Sequence, residues 1–248
     1  MRSLPMMSLT LLALSAACRG ERVEQGVETR TSEGRLEATP SELAERRGVS
    51  LVRMINALPE SRTISVSADD NQLFADVSRK GVTAYVPLND NVARFRVKDD
   101  RRDTTIASDF QMMMDGSHYT VVTLPEKDGA VKLRILRDDV GRDSAMARVR
   151  FVHGSPMVGS VEVVLDGRQG LLFDNVSTSG ETGFQSVVPT NAAIRIRTEE
   201  SRQQVIARSL NLVAGHSYTV VLTGSTGTTI DMIVVDDRLA DAAAVIVP

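Results

Sequence analysis

The body of this chain is written twice, and that duplication limits the fold more than any other feature. Val52-Arg53-Met54-Ile55-Asn56-Ala57-Leu58-Pro59 returns as Val149-Arg150-Phe151-Val152-His153-Gly154-Ser155-Pro156, and Leu73–Val77 returns as Leu172–Val176. Gly81–Tyr85 returns as Gly180–Phe184, Val86-Pro87 as Val188-Pro189, Gly116–Val122 as Gly215–Val221, and Asp138-Asp139 as Asp236-Asp237. These landmarks keep their order in a chain of 248, at offsets of 97 to 99 residues except for the Val-Pro pair, which is displaced by 102. Such regularity points to one domain of about 100 residues present in tandem, not to a single large fold.

Each copy reads as a run of short strands. In the second, Ala147–His153 alternates, with Val149, Phe151 and His153 on one face and Arg148, Arg150 and Val152 on the other. Val161–Leu165 is β-branched and apolar and closes on the turn pair Asp166-Gly167. Ala193–Thr198 sets Ile194 and Ile196 against Arg195 and Arg197, the period of a half-buried strand. Gln204–Leu212, Ser217–Thr223 and Thr229–Val235 continue the series. The first copy offers Val52–Asn56, Thr63–Ser67, Val82–Pro87, Ala93–Val97, Thr104–Phe110, Tyr119–Leu124 and Val131–Leu136. About seven strands in roughly 90 residues predict an all-β protein of two tandem, immunoglobulin-like antiparallel β-sandwiches. With no Trp, three Tyr and six Phe, their cores are expected to be aliphatic. Arg53, Arg94, Arg96, Arg150, Arg195 and Arg197 fall on alternating positions and are expected to face solvent. The linker at 140–147 is short and polar, which predicts sandwiches standing end to end with limited bending.

Ahead of the repeats stands a leader. Arg2 precedes an apolar stretch from Leu4 to Leu14, and Ser15-Ala16-Ala17 then reaches Cys18, the only cysteine. Basic, apolar and small-residue segments in that order describe a secretory signal peptide over residues 1–17, short of the ~18 apolar residues a bilayer span needs. The pattern resembles the bacterial lipobox, although Ser15 holds the place where leucine is usual. That resemblance implies cleavage before Cys18, acylation of its thiol and, with Arg19 next, an outer-membrane lipoprotein held to the membrane by its anchor. Ordinary cleavage after Ala17, leaving a secreted or periplasmic soluble chain, is the competing reading. Residues 18–49 are polar and of mixed charge, unable to bury enough surface to offset ordering, and are expected to form a flexible tether. The more divergent first repeat follows at 50–139, then the linker, the second repeat at 148–239 and a small apolar tail at 240–248, expected to dock on the body.

Arg150–Pro156 followed by Val161–Gly167 resembles the opening of the bacterial domain of unknown function 4397. Members typically run Val-Arg-x-x-His-Ala-Ser-Pro before an alternating strand closed by Asp-Gly or Asn-Gly. Leu172-Phe173-x-x-Val176 and Ala214-Gly215-x-x-Tyr218-Thr219-Val220-Val221 also fit that family. The first copy departs from it, with Asn56 for the histidine, Leu58 for the serine and Asp69-Asp70-Asn71 for the turn. The resemblance implies export, often with a lipid anchor, and a sandwich fold; it implies no activity.

Little else in the chain is arranged for chemistry. Of the three histidines, His216 stands in Gly215-His216-Ser217, which approaches a nucleophile elbow but lacks its closing glycine and opens a strand. The first copy reverses the pair as Ser117-His118. His153 and Ser155 have Asn56 and Leu58 as counterparts, so the fold does without them, and Ser155 is expected to bond local backbone before Pro156. No cofactor is expected: Cys and His are too few for zinc, and no Gly-rich phosphate loop opens a helix to hold a nucleotide. A net charge of −3 without a basic cluster argues against nucleic acid. Met112-Met113-Met114 is expected to fill core and loop space. The pairs Asp69-Asp70, Asp99-Asp100, Asp138-Asp139 and Asp236-Asp237 are expected to end strands and face water. A calcium site from Asp138, Asp139 and Asp143 at the junction is the metal arrangement that the spacing allows. What remains is a non-enzymatic lipoprotein of the cell envelope, a binding or spacer module with an envelope protein or glycan as partner. The alternatives are an exported hydrolase using His153 or His216, and a calcium-dependent adhesion module.

Overall fold

The computed structural model describes residues 49–59, 62–138, 145–224 and 229–237. Cys18, the leader, the tether before Val49, Asp139, Asp143 and the tail at 240–248 lie outside the described residues. The first copy comprises β1 (Ser50–Asn56), β2 (Ile64–Ala68), β3 (Asn71–Val77), β4 (Val86–Leu88), β5 (Val92–Asp99), β6 (Thr104–Met112), β7 (His118–Pro125) and β8 (Val131–Asp138). The second repeats them as β9 (Ala147–Gly154), β10 (Val161–Leu165), β11 (Phe173–Val176), β12 (Gln185–Val187), β13 (Thr190–Thr198), β14 (Gln204–Leu212), β15 (Ser217–Thr223) and β16 (Asp231–Asp236).

Sheets β4-β1-β7-β8 and β3-β2-β5-β6 make one sandwich; β12-β9-β15-β16 and β11-β10-β13-β14 make the other. Pairing is antiparallel except that β1 runs parallel to β7 and β9 to β15, one such pair in each copy. Among the described residues each copy thus has eight strands where periodicity predicts about seven. The extra ones are short or weakly alternating: β3 and β11 carry the polar pairs Asn71-Gln72 and Asp174-Asn175, and β12 is three residues long. Duplication reaches the backbone as well. The left-handed residues Asp76, Lys80 and Asp103 recur at the matching positions Asn175, Ser179 and Arg202.

The alternation read from the sequence builds each sandwich core. Val52, Met54, Ile64, Val66, Phe95, Val97, Tyr119 and Val121 meet inside the first. Val149, Phe151, Val161, Val163, Ile194, Ile196, Val220 and Leu222 meet inside the second. Burying such side chains contributes about 1.5–3 kcal/mol each, the dominant favourable term. Of the three consecutive methionines only Met113 joins a core; Met112 and Met114 stand outside, because successive strand residues face opposite ways.

The opposite faces of β1, β7, β9 and β15 are not solvated. Ile55, Ala57, Val122, Leu124 and Leu136 of the first copy pack on Val152, Val221, Ile233 and Val235 of the second, a third core between the sandwiches. The expectation of sandwiches standing end to end is therefore corrected: they lie face to face, as four stacked sheets. The contacts are reciprocal. Arg53 reaches Asp237 while its counterpart Arg150 reaches Asp138, the pattern of an isologous, approximately twofold interface. Thr223 Oγ1 donates to Ala57 O at 2.6 Å, so the late ends of β15 and β1 meet, and the copies point the same way along their strands. One end of the molecule, here the proximal end, holds Val49, where the chain enters β1, together with the end of β8 and the start of β9. The distal end holds the β7–β8 hairpin tip and the loops after β1, β3, β9 and β11. A short linker suffices because both of its ends lie at the proximal end.

Candidate functional site

The interface contains the most densely charged buried cluster among the described residues. Arg53 and Arg150, expected on the solvent face, are both buried, and that reading is corrected. Arg53 Nε donates to Thr120 Oγ1 at 2.8 Å and its Nη2 to Asp237; Arg150 Nε donates to Thr219 Oγ1 at 2.8 Å and its Nη2 to Asp138. Each guanidinium also lies over a ring, Arg53 over Tyr85 and Arg150 over Phe184, at 4.9 and 4.8 Å. These contacts make Asp138 the equivalent of Asp237, one residue later than the sequence match to Asp236 implies. Asp138 and Asp237 do not face water as strand-ending acids would.

The two halves differ by one hydroxyl. Asp138 Oδ2 accepts from Tyr85 Oη at 2.5 Å and from Thr120 Oγ1 at 2.7 Å, in addition to Arg150 on Oδ1. Burial works against its charge, but Arg150, then Arg53 and the two hydroxyls, hold its carboxyl below the usual carboxylate range. Among the described residues Asp237 has side-chain donors in Arg53 and Thr219 alone, since Phe184 stands where a phenol would donate. Burial, then the neighbouring Asp138, pushes its carboxyl up to about 6 against the pull of Arg53. Arg53 Nη1 is buried without a hydrogen-bond partner among the described residues, whereas Arg150 Nη1 donates to Arg137 O.

Asp138 thus offers no open oxygen to a cation, and its companions in the calcium reading, Asp139 and Asp143, lie outside the described residues. His153 is fully buried. Its Nε2 donates to Gly159 O at 2.9 Å and its Nδ1 accepts from Ser155 N, so both nitrogens brace the β9–β10 turn. Burial lowers its pKa, keeping the ring neutral in that role. Ser155 Oγ has no hydrogen-bond partner among the described residues, which corrects the expectation that it bonds local backbone. Asn56 does the histidine's work in the first copy, accepting from Leu58 N and donating to Arg62 O and Val77 O. His153→Asn is therefore expected to stay within about 1 kcal/mol of the parent. His153→Ala, leaving Gly159 O and Ser155 N unmet, is expected to cost about 1–3 kcal/mol, as urea midpoints would show. His216 Nδ1 pairs with Asp236 Oδ2 at 2.7 Å, but among the described residues no hydroxyl bonds its other nitrogen. His118 is buried edge-on to the Tyr85 ring.

What the fold leaves open is a cleft at the distal end, about 580 Å³, between the β7–β8 hairpin and the loops after β9 and β11. Glu126, Lys127, Asp128 and Lys132 line one wall; Gly159, Ser160 and Ser177–Ser179 line the other. Beyond the hairpin lies a smaller hollow of mixed character, where Leu58, Pro125, Pro156 and Met157 meet Arg62, Glu126 and Lys127. Hydroxyls, ammonium groups and carboxylates over a shallow floor suit a polar, multiply hydroxylated or zwitterionic ligand. The sequence alone names no residue of this cleft, because its two walls belong to different copies. The interface itself left a readable signal: Met54-Ile55, Val121-Val122, Val220-Val221-Leu222 and Ile233-Val234-Val235 are unbroken apolar runs, as strands covered on both faces show.

Comparison with known proteins follows the same division. Domain of unknown function (DUF4397) matches the sequence twice, over residues 50–164 and 147–245. No curated protein matches it significantly. Among solved structures, a family 26 carbohydrate-binding module from Eubacterium rectale in complex with maltoheptaose shares 13% identity, covering 75% of this chain and 95% of that one, at a TM-score of 0.24.

Proposed function

This chain belongs to the family described as Domain of unknown function (DUF4397), in tandem copies, and on that premise we propose that it is a non-enzymatic binding module of the cell envelope. In this reading it is exported by its leader and held at the outer membrane by acylated Cys18, and its fused sandwiches present the distal cleft to a glycan or other polar envelope ligand. The observation that carries the reading is the cleft itself, with Lys127, Lys132 and Asp128 facing Ser160, Ser177 and Thr178. The histidines support it: His153 is spent on backbone, and among the described residues His216 has a carboxylate but no hydroxyl partner. A lipid anchor gives such a module its address, since two or more acyl chains hold firmly.

Gly159 provides a clean test. A Cβ added there meets nothing within 4 Å, so a large side chain can fill the cleft without straining the fold. Against soluble muropeptides and oligosaccharides, the parent chain is expected to bind at least one class in calorimetric titration. Gly159→Trp is expected to weaken that binding at least about tenfold with an unchanged melting temperature. Binding that ignores Gly159→Trp, or no binding across the panel, would sink the proposal.

A further inference from the structure

The large apolar side chains that remain exposed are not scattered. Val92, Phe110, Met112, Met114, Val188 and Val213, between 39 and 69% exposed, all lie at or near the proximal end; among the described residues only Met157 stands at the other. Strand pairing explains the grouping. Met112 pairs with Val92 and Phe110 with Arg94 on the outer face of β5 and β6, where β5 begins and β6 ends. Val188 and Val213 follow β12 and β14 of the second copy, at the same end. Val49, where the chain arrives from the leader, is there too, accepting a hydrogen bond from Gly116 N beside Met114.

The second copy serves as an internal control. At the positions of Val92, Phe110 and Met112 it carries Asn191, Ser209 and Asn211, paired in the same register. The fold therefore does not need apolar residues there, and their presence in the copy nearer the leader calls for a ligand. Arg94 stands among them, its guanidinium without a partner among the described residues.

We infer that the proximal end is a membrane-contacting face: Phe110, Met112, Val92 and Met114 enter the interfacial layer of a bilayer while Arg94 meets phosphate headgroups. The chain fixes the occupant. About 30 residues separate Cys18 from Val49, a length that keeps the body within reach of the surface its leader delivers it to, and Val49 emerges beside the patch. Interfacial binding of this kind draws on apolar side chains with cationic neighbours. The distal cleft would then point away from the membrane. The inference uses the lipoprotein reading only to say which surface is near; the contact does not depend on acylation.

The test separates the two. A full-length chain carrying Cys18→Ser is attached through an N-terminal hexahistidine tag to nickel-lipid vesicles of phosphatidylethanolamine and phosphatidylglycerol. Bimane is placed on Met112→Cys or, in a second chain, on Met157→Cys. Doxyl-labelled phospholipid is expected to quench the first at least about threefold more than the second, and Phe110→Ser is expected to abolish the difference at unchanged thermal stability. Equal quenching at the two sites overturns the inference. So does a photo-crosslinker at Phe110 that captures a single envelope protein in cells instead of lipid. Failure of the anchor shows elsewhere, as a mature N-terminus lacking the mass of a diacylglyceryl group on Cys18.

Discussion

Asp138→Ala is expected to destabilise the folded chain by about 3–5 kcal/mol, because it strips a buried guanidinium of its partner. Arg150 would stay buried with Thr219, Arg137 O and the Phe184 ring about it but no carboxylate bonded to it, and the Tyr85 phenol and Thr120 hydroxyl would each lose their acceptor. The attraction within the pair is not the measure of this loss; the uncompensated charge is. Replacing both partners, Arg150→Met with Asp138→Leu, is accordingly expected to recover most of the stability, since well-packed apolar substitutes for a buried pair are often neutral or better. Urea unfolding of the two variants checks this. A small effect of Asp138→Ala alone would mean that the sandwiches separate without cost, contradicting the shared core of Ile55, Val122, Val152 and Val221.

Stability is expected to fall as pH rises from about 4 to 7, because a carboxyl whose native pKa is raised keeps a proton that the unfolded chain has already released. The source is Asp237, whose carboxyl is pushed up from 3.8 to about 6. A group with a raised folded pKa holds its proton more tightly in the native state. Its contribution is complete below the unfolded value and disappears as pH climbs through about 6. Asp138 acts in the opposite sense: its lowered pKa adds stability above the ordinary carboxylate range and loses it as pH falls further. Thermal melts across this window are expected to slope for the parent and to flatten for Asp237→Asn. Phe184→Tyr, supplying the phenol that Asp138 already enjoys from Tyr85, is expected to shift the transition to lower pH. An Asp237→Asn chain with the parent's full slope would remove Asp237 as its origin.

How much could be read in advance differs from residue to residue. Val149, Phe151, Ile194 and Ile196 fall on the core side as alternation requires, because a strand has only two faces and one must be apolar. Arg150 obeys the same alternation yet points into a second interior; the adjacent apolar pair Phe151-Val152 marks its strand as covered on both faces, but nothing in the strand says that the cover is the other copy. His153 presents the letters of a catalytic residue, and only its two backbone partners reveal a brace. The distal cleft draws its walls from residues about 30 to 50 apart in the chain, Glu126 to Lys132 and Gly159 to Ser179, whose meeting depends on how the copies pack.

Duplication, the strand class and the identity of the inward-facing side chains were thus written locally, in periodicity and spacing, which act over a few residues. The face-to-face stacking, the exchange of Arg53 and Arg150 between partners, the displaced acidity of Asp237 and the gathering of exposed apolar side chains at one end were settled only by tertiary structure. Each depends on which strands come together in space, from neighbours in one hairpin such as Val92 and Met112 to Arg53 and Asp237, 184 residues apart, where desolvation and complementary shape act and local pattern does not.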